Sequence, residues 1–153
     1  MPARSRSEFK FSSKESKRTA IREAEAMAAD YEGAKLRCIA YPKKRPSFME
    51  EMGVDLSDYE DCGYIRYDEE LAARIDEDDA EYIRQYAEDM LTVWIVEHCV
   101  AAMRNEKTRA IAEDMLLRGQ KAEDLVEKYG VTAHTLRAKR KQVILLMASL
   151  FGP

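Results

Sequence analysis

Residues 121–141, KAEDLVEKYGVTAHTLRAKRK, carry the pattern that decides the predicted fold. The stretch begins with a short helical segment whose apolar residues share one face: Leu125, Val126 and Tyr129. Gly130 follows where a helix end favours a residue that tolerates positive φ, and Thr132 can cap the next helix. Because only Gly130 to Thr132 separate the two segments, the helices must cross steeply, which predicts a helix-turn-helix.

The segments on either side extend this motif. Asn105 is suited to cap a helix over residues 106–118, with Gly119 at its end. Its predicted inner face consists of Ile111, Ala112, Met115 and Leu116. The last helix is predicted from Ala133 to about Leu150, with a packing face that Arg140 interrupts. That face consists of Leu136, Val143, Met147 and Leu150.

Four short runs in this region carry a resemblance to a known family. They are Arg118-Gly119, Glu123-Asp124-Leu125-Val126, Tyr129-Gly130-Val131-Thr132 and Thr135-Leu136-Arg137. Over about residues 106–149 the chain resembles the fourth region of bacterial sigma factors. Three positions depart from that family: Lys121 replaces a Ser/Thr cap, Val126 a small alanine and Arg140 a core leucine. In length and layout the chain also resembles phage late-transcription activators of the RinA and ArpU kind.

The motif predicts which residues meet DNA. In a helix-turn-helix the first half of the second helix enters the major groove. The positions predicted to face outward are Thr132, Ala133, His134, Arg137, Ala138 and Lys141. Arg137 can grip guanine O6 and N7, while Thr132 and His134 can read a base edge or a phosphate. Small Ala133 and Ala138 allow close approach, and the residues predicted for phosphate are Lys139, Arg140 and Lys141. The alternative is a helix-turn-helix that contacts protein through a solvated basic face.

Composition indicates a helical globular protein with an uneven charge distribution. The 153 residues are 46% apolar and 35% charged with only six Gly and four Pro, which favours an all-α helical bundle. The net charge of −4 combines two basic ends with an acidic middle. Residues 1–47 sum to +6, residues 48–103 to −14 and residues 104–153 to +4. Nucleic acid responds to such local patches, so the acidic total does not exclude a DNA-binding protein.

The chain is predicted to consist of three parts with five or six helices. Residues 1–13 are expected to form a mobile basic arm, 14–104 a helical part with an acidic middle, and 105–153 the helix-turn-helix module. A first helix is predicted from about Lys14 to Ala40, interrupted near Gly33 and stopped by Pro42 and Pro46. Its predicted apolar stripe consists of Ile21, Ala24, Ala28 and Tyr31, continued by Leu36 and Ile39. Between this helix and residue 78 we expect short helices over 48–52 and 69–75 and an aromatic loop over 54–67.

The helix predicted over 78–103 has the strongest pattern. Its apolar face comprises Ile83, Tyr86, Ala87, Met90, Leu91, Trp94, Ile95, Cys99 and Val100. Trp94 is expected to anchor the core, and His98 to be buried and hydrogen-bonded. Val93 and Val96 lie beyond this face and are predicted, with Met147, Leu150 and Phe151, to supply surplus apolar surface for a homodimer. The alternative is that these residues close the core of a monomer and that RNA polymerase supplies the second contact.

The sequence contains no motif that predicts catalysis, a cofactor or a metal site. Glu97, His98 and Cys99 are contiguous, so on a helix their side chains point in different directions. The acidic residues between Asp55 and Asp79 match no calcium-loop spacing and are expected to form a solvated face. Three widely spaced cysteines (Cys38, Cys62 and Cys99) indicate free thiols, and no export or membrane segment is evident, so we expect a cytoplasmic protein.

Three classes of function remain compatible with these observations. The first is a DNA-binding transcription regulator of phage origin, with double-stranded DNA, RNA polymerase and a second copy of the chain as partners. The second is a phage DNA-packaging subunit of the small-terminase kind, in which the DNA module usually comes first in the chain. The third is an acidic protein-interaction or inhibitor protein that uses the middle stretch at −14. The resemblance favours the first class.

Overall fold

The computed structural model describes residues 14–45 and 77–151. The helices in these ranges are α1 Lys14–Lys44, α2 Glu77–Ala101, α3 Glu106–Ala112, α4 Ala122–Tyr129 and α5 Ala133–Ser149. A π-helical turn, Glu113–Leu117, continues α3. Since the two described ranges hold helices and no strand, the predicted all-α class is confirmed for them. The predictions for the arm 1–13, for the segments 48–52, 54–67 and 69–75 and for Cys62 lie outside the described residues.

The described residues form two compact units. Residues 14–30 and 95–151 belong to the first unit, and residues 31–45 and 77–94 belong to the second. Each of the long helices α1 and α2 therefore contributes to both units. The first unit holds α3, α4 and α5 together with the start of α1 and the end of α2, while the predicted division of the chain at residue 104 stays a prediction.

The first helix extends past its predicted end. α1 passes through Gly33 without a break and carries Pro42 inside its last turn, so the predicted stop near Ala40 is wrong. A proline so close to a helix end removes one backbone hydrogen bond, a cost that contacts of the same turn can offset. Such contacts exist here, because Tyr41 and Arg45 both bond to carboxylates of α2. The helix ends just before Arg45, which precedes a second proline, and a following proline disfavours the helical conformation of the residue before it.

The buried stripe of α1 also differs from prediction in its second half. Its first members are buried as predicted: Ala24, Ala28 and Tyr31. Leu36, which was predicted to continue the stripe, is 62% exposed. The stripe continues instead through Ala34 and Cys38, in unbroken steps of three and four residues. Because Gly33 does not interrupt the helix, the register is not shifted and Leu36 faces water.

The second long helix buries five of the nine residues of its predicted face, together with residues that were placed beyond that face. Leu91 and Trp94 are 54% and 53% exposed, whereas Val93 and Val96 are buried. The predictions that Trp94 anchors the core and that Val93 and Val96 supply a dimer surface are therefore wrong. His98 is likewise exposed rather than buried. The buried residues of α2 are Ile83, Tyr86, Asp89, Val93, Ile95, Val96, Cys99 and Val100.

In the second unit, a buried carboxylate of α2 bonds to α1. Asp89 accepts two hydrogen bonds from Arg37 of α1, at 3.0 Å from Nε and 2.9 Å from Nη2. It also accepts one from the Tyr41 hydroxyl at 3.0 Å. Burial, together with the nearby carboxylate, raises the pKa of Tyr41 to about 12. These bonds to α1 match the Asp89 carboxylate on the buried side of α2.

In the first unit, a compact apolar cluster joins α3, α4 and α5. Its buried members are Ile111, Ala122, Leu125 and Leu136, with Met115, Val126, Tyr129, Val131 and Ala133 packed against it. Further along α5 the buried residues are Val143, Ile144, Met147 and Ala148. The predicted inner faces of these three helices are thus confirmed at Ile111, Leu125 and Leu136. Met147 is fully buried, so it cannot contribute to a dimer surface as predicted.

Candidate nucleic-acid interface

The connection between α4 and α5 has the local geometry that the sequence predicts. Gly130 ends α4 in the left-handed region, with φ 64° and ψ 32°, and its N–H donates to the Val126 carbonyl at 2.9 Å. Thr132 is extended, with φ −73° and ψ 158°, and its hydroxyl accepts from the Thr135 N–H at 3.2 Å. Both the glycine turn and the threonine cap are therefore confirmed. Lys121 provides no side-chain cap at the start of α4, as expected from its chemistry.

The eight residues predicted to meet DNA divide into two groups by exposure. The exposed group consists of Thr132, His134, Arg137, Ala138 and Lys141. The half-buried group consists of Ala133, Lys139 and Arg140. Ala133 packs against the apolar cluster of the first unit, so its predicted outward position is wrong. The exposed group covers the first half of α5 on the side away from buried Leu136.

Arg137, the predicted base-reading residue, is joined to α4. Its Nη2 donates to Oε1 of Glu123 in an ion pair between the two helices. The two side chains are 56% and 59% exposed. An ion pair so open to water contributes little to the stability of the fold. It does fix a direction for the guanidinium on the exposed side of α5.

Arg140, predicted to contact phosphate, is held by α1 within the first unit. Its Nη1 and Nη2 donate to the two carboxylate oxygens of Glu25 at 3.0 and 2.8 Å. The hydrogen bond from Arg140 is the main reason that the pKa of Glu25 is lowered, against the opposing effect of partial burial. The carboxylate of Glu25 matches the charge of Arg140, which is why an arginine can occupy this half-buried position on α5.

A buried carboxylate that was not predicted from the sequence, Asp114, is bonded to residues of α4. Asp114 and its three hydrogen-bond donors, Arg118, Lys128 and Tyr129, are called the Asp114 brace below. Asp114 is only 1% exposed and lies in the π-helical turn after α3. It accepts from Arg118 Nη1 at 2.6 Å, from Lys128 Nζ at 2.8 Å and from the Tyr129 hydroxyl at 2.5 Å. The available signal was an acidic residue within the otherwise apolar inner face that ends at Leu116.

These contacts determine the protonation states of Asp114 and Tyr129. Burial alone would raise the pKa of Asp114, but the hydrogen bonds from Lys128, Tyr129 and Arg118 outweigh it and lower the pKa. Burial and the adjacent Asp114 carboxylate raise the pKa of Tyr129 to about 12. At neutral pH the carboxylate is therefore charged and the phenol is neutral, so the phenol donates the hydrogen bond.

Backbone hydrogen bonds and a left-handed glycine end the π-helical turn before α4. The Arg118 N–H donates to the Glu113 carbonyl at 3.1 Å, and the Gln120 N–H to the Asp114 carbonyl at 2.9 Å. Gly119, at φ 67°, provides the left-handed residue predicted after this helix. Within this turn the Asp114 side chain is directed towards Lys128 and Tyr129 of α4.

Comparisons with known proteins add no family assignment. No family model, no curated protein and no solved structure matches this chain. In the described part of the chain, no helix has both the length and the apolar character needed to cross a membrane. Nor do residues 14–45 and 77–151 contain a group of three side chains that could hold a metal ion.

Proposed function

We propose that this chain is a sequence-specific, DNA-binding transcription regulator. In this proposal α4 and α5 form a helix-turn-helix, and the first half of α5 enters the major groove. The observation that carries the proposal is the exposed group at the start of α5. It contains a guanidinium, an imidazole, a hydroxyl and a small apolar side chain, which together match the edges that bases present in that groove.

The contacts that fix the position of α5 within the first unit support this proposal. The turn at Gly130 and the Thr132 cap fix where α5 begins, and Leu136 anchors its first half in the apolar cluster. Asp114 bonds to Lys128 and Tyr129 and so joins the end of α4 to the turn after α3. A reading element on a rigid support loses less conformational freedom on binding, which favours affinity and sequence preference.

The charge of the module also supports DNA as the ligand. Residues 104–153 carry ten Lys and Arg against six Asp and Glu. Lys139 and Lys141 remain the proposed phosphate contacts on α5, whereas Arg140 is occupied by Glu25. With about four to six phosphates neutralised per subunit, affinity should fall steeply as salt increases from low to physiological concentration.

Two substitutions on α5 test the proposal. Arg137→Ala should cost roughly 1–3 kcal/mol in binding free energy and relax sequence preference, because it removes a contact with base edges. Lys141→Ala should weaken binding to all sequences alike and reduce the salt dependence, because it removes a phosphate contact. Fluorescence anisotropy with labelled duplexes, repeated at several salt concentrations, measures both effects.

The outcomes separate DNA binding from a protein-interaction function. If both variants bind duplex DNA like the parent, the assignment of α5 to the groove is wrong. If the parent binds no DNA, a pull-down from host lysate with and without nuclease becomes informative. A protein partner that survives nuclease would favour a protein-interaction function.

A further inference from the structure

The Arg137–Glu123 ion pair lies on the surface proposed to face DNA. Glu123 occupies the first turn of α4 and Arg137 the second turn of α5, so the pair connects the two helices. More than half of each side chain is exposed. An ion pair in this exposed position contributes little to the stability of the fold. Its main effect is on the orientation of the Arg137 guanidinium.

The pair occupies only part of the hydrogen-bonding capacity of Arg137. A guanidinium presents five N–H donors in a planar fork, and the contact with Glu123 uses one of them, on Nη2. Among residues 14–45 and 77–151, the Arg137 side chain makes no other hydrogen bond. The donors that remain on Nη1, Nη2 and Nε suffice for a two-point contact with guanine O6 and N7 while the bond to Glu123 persists.

We propose that Glu123 is a positioning residue that orients Arg137 for reading a base. This inference rests on the proposed DNA-binding function and assigns the specificity of that site to a residue outside α5. The carboxylate holds a long, flexible side chain in one orientation before DNA arrives. The ordering cost of that side chain is then met in the free protein rather than on binding.

A carboxylate at this position has a second effect of opposite sign. Its negative charge repels phosphate, so its removal should strengthen binding to any duplex. Orientation of Arg137 matters only where the matching base is present. The ratio of affinities for a preferred and a scrambled duplex therefore isolates the positioning role from the charge effect.

The neighbouring Asp124 provides a matched control. It is also exposed, lies in the same first turn of α4 and carries the same charge, but it does not contact Arg137. The preferred duplex is one enriched from a random library by the parent protein, and its scrambled version is the reference. Glu123→Ala should lower the affinity ratio roughly three- to ten-fold. Asp124→Ala should strengthen binding to both duplexes and leave the ratio unchanged.

A second background shows whether Glu123 acts through Arg137. In an Arg137→Ala protein, adding Glu123→Ala should leave the ratio unchanged, since the positioned group is gone. Equal ratios for Glu123→Ala and Asp124→Ala in the parent background would overturn the positioning role while leaving the DNA-binding function intact. If the library yields no enriched duplex, sequence-specific binding fails and this inference fails with it.

Discussion

At the scale of single residues, Asp114 is a charged group placed almost entirely out of water. The free-energy cost of removing this carboxylate from water is offset by hydrogen bonds from three donors. They are the cationic Arg118 and Lys128 and the Tyr129 hydroxyl. Asp114→Asn should lower the free energy of unfolding by about 2 kcal/mol, because the amide cannot accept from all three donors and loses the charge that they match. Urea denaturation followed by circular dichroism measures this difference.

The control for this substitution lies in the same module. Asp124→Asn removes a carboxylate from an exposed position and should change stability by less than about 0.5 kcal/mol. If Asp114→Asn is as stable as the Asp124→Asn protein, the brace does not support the fold in the way that its geometry indicates.

The pH dependence of the Asp114 contribution has a definite sign. Because the folded-state pKa is lowered, the stabilisation is complete above the unfolded-state pKa of about 4 and is lost as pH falls towards the folded-state value. The gap in unfolding free energy between the parent and Asp114→Asn should therefore be constant at neutral pH and narrow in acid. A gap that stayed constant into strongly acidic solution would contradict this assignment.

At the scale of elements, the turn between α4 and α5 depends on one glycine. Gly130 has a φ of 64°, and a Cβ at this position would meet nothing within 4 Å. The only cost of Gly130→Ala is therefore backbone strain, about 1–2 kcal/mol. Gly130→Asn should cost less, because asparagine tolerates the left-handed region. Thermal unfolding of the two variants tests this order, and equal stability of alanine and asparagine would contradict it.

The starts of α3 and α5 and the glycine turns at Gly119 and Gly130 were predictable from sequence because their signals are local. Asn105 accepts from the Thr108 N–H at 2.9 Å, and Thr132 caps α5 in the same manner. Gly119 and Gly130 take the positive φ angles that their positions suggest. The conformation of each of these residues depends on backbone groups that are close in sequence, so a short segment is enough to predict it.

The buried faces of the long helices were less predictable, because distant partners decide them. Asp89 is inward because Arg37, 52 positions away, bonds to it, and no local pattern contains that information. The same holds at the candidate site. The turn and the exposed basic side chains follow from residues 121–141, whereas the capture of Arg140 by Glu25, 115 positions away, does not.

At the scale of the whole molecule, the exposed apolar residues of α5 and its end bear on oligomeric state. Leu145 and Leu150 are 40% and 53% exposed, and Phe151 is half-buried. Since one helix-turn-helix contacts few base pairs, we expect two copies to pair through these residues and read half-sites about one helical turn apart. Leu150→Glu should then shift the equilibrium towards the monomer, because it places a charge in an apolar contact.

Sedimentation at micromolar concentration, with and without duplex DNA, checks the expected dimer. Exposed Leu36 lies in the other unit, so Leu36→Glu is the matched control and should leave the mass unchanged. A parent mass near 17.6 kDa that stays the same on adding DNA would rule out the dimer. A monomer tethered by RNA polymerase would then be the consistent alternative.

The outward position of Trp94 has a practical consequence for spectroscopy. It is the single tryptophan of the chain, and 53% of it meets solvent in the folded state. Its indole should therefore fluoresce at long wavelength and be quenched by iodide before any unfolding occurs. The wavelength of maximum emission should then change little between the native and the denatured protein. The far-ultraviolet ellipticity of the helices is therefore the better signal for denaturation experiments. The same indole becomes useful for docking, since any partner that covers this part of α2 should shift its emission to the blue.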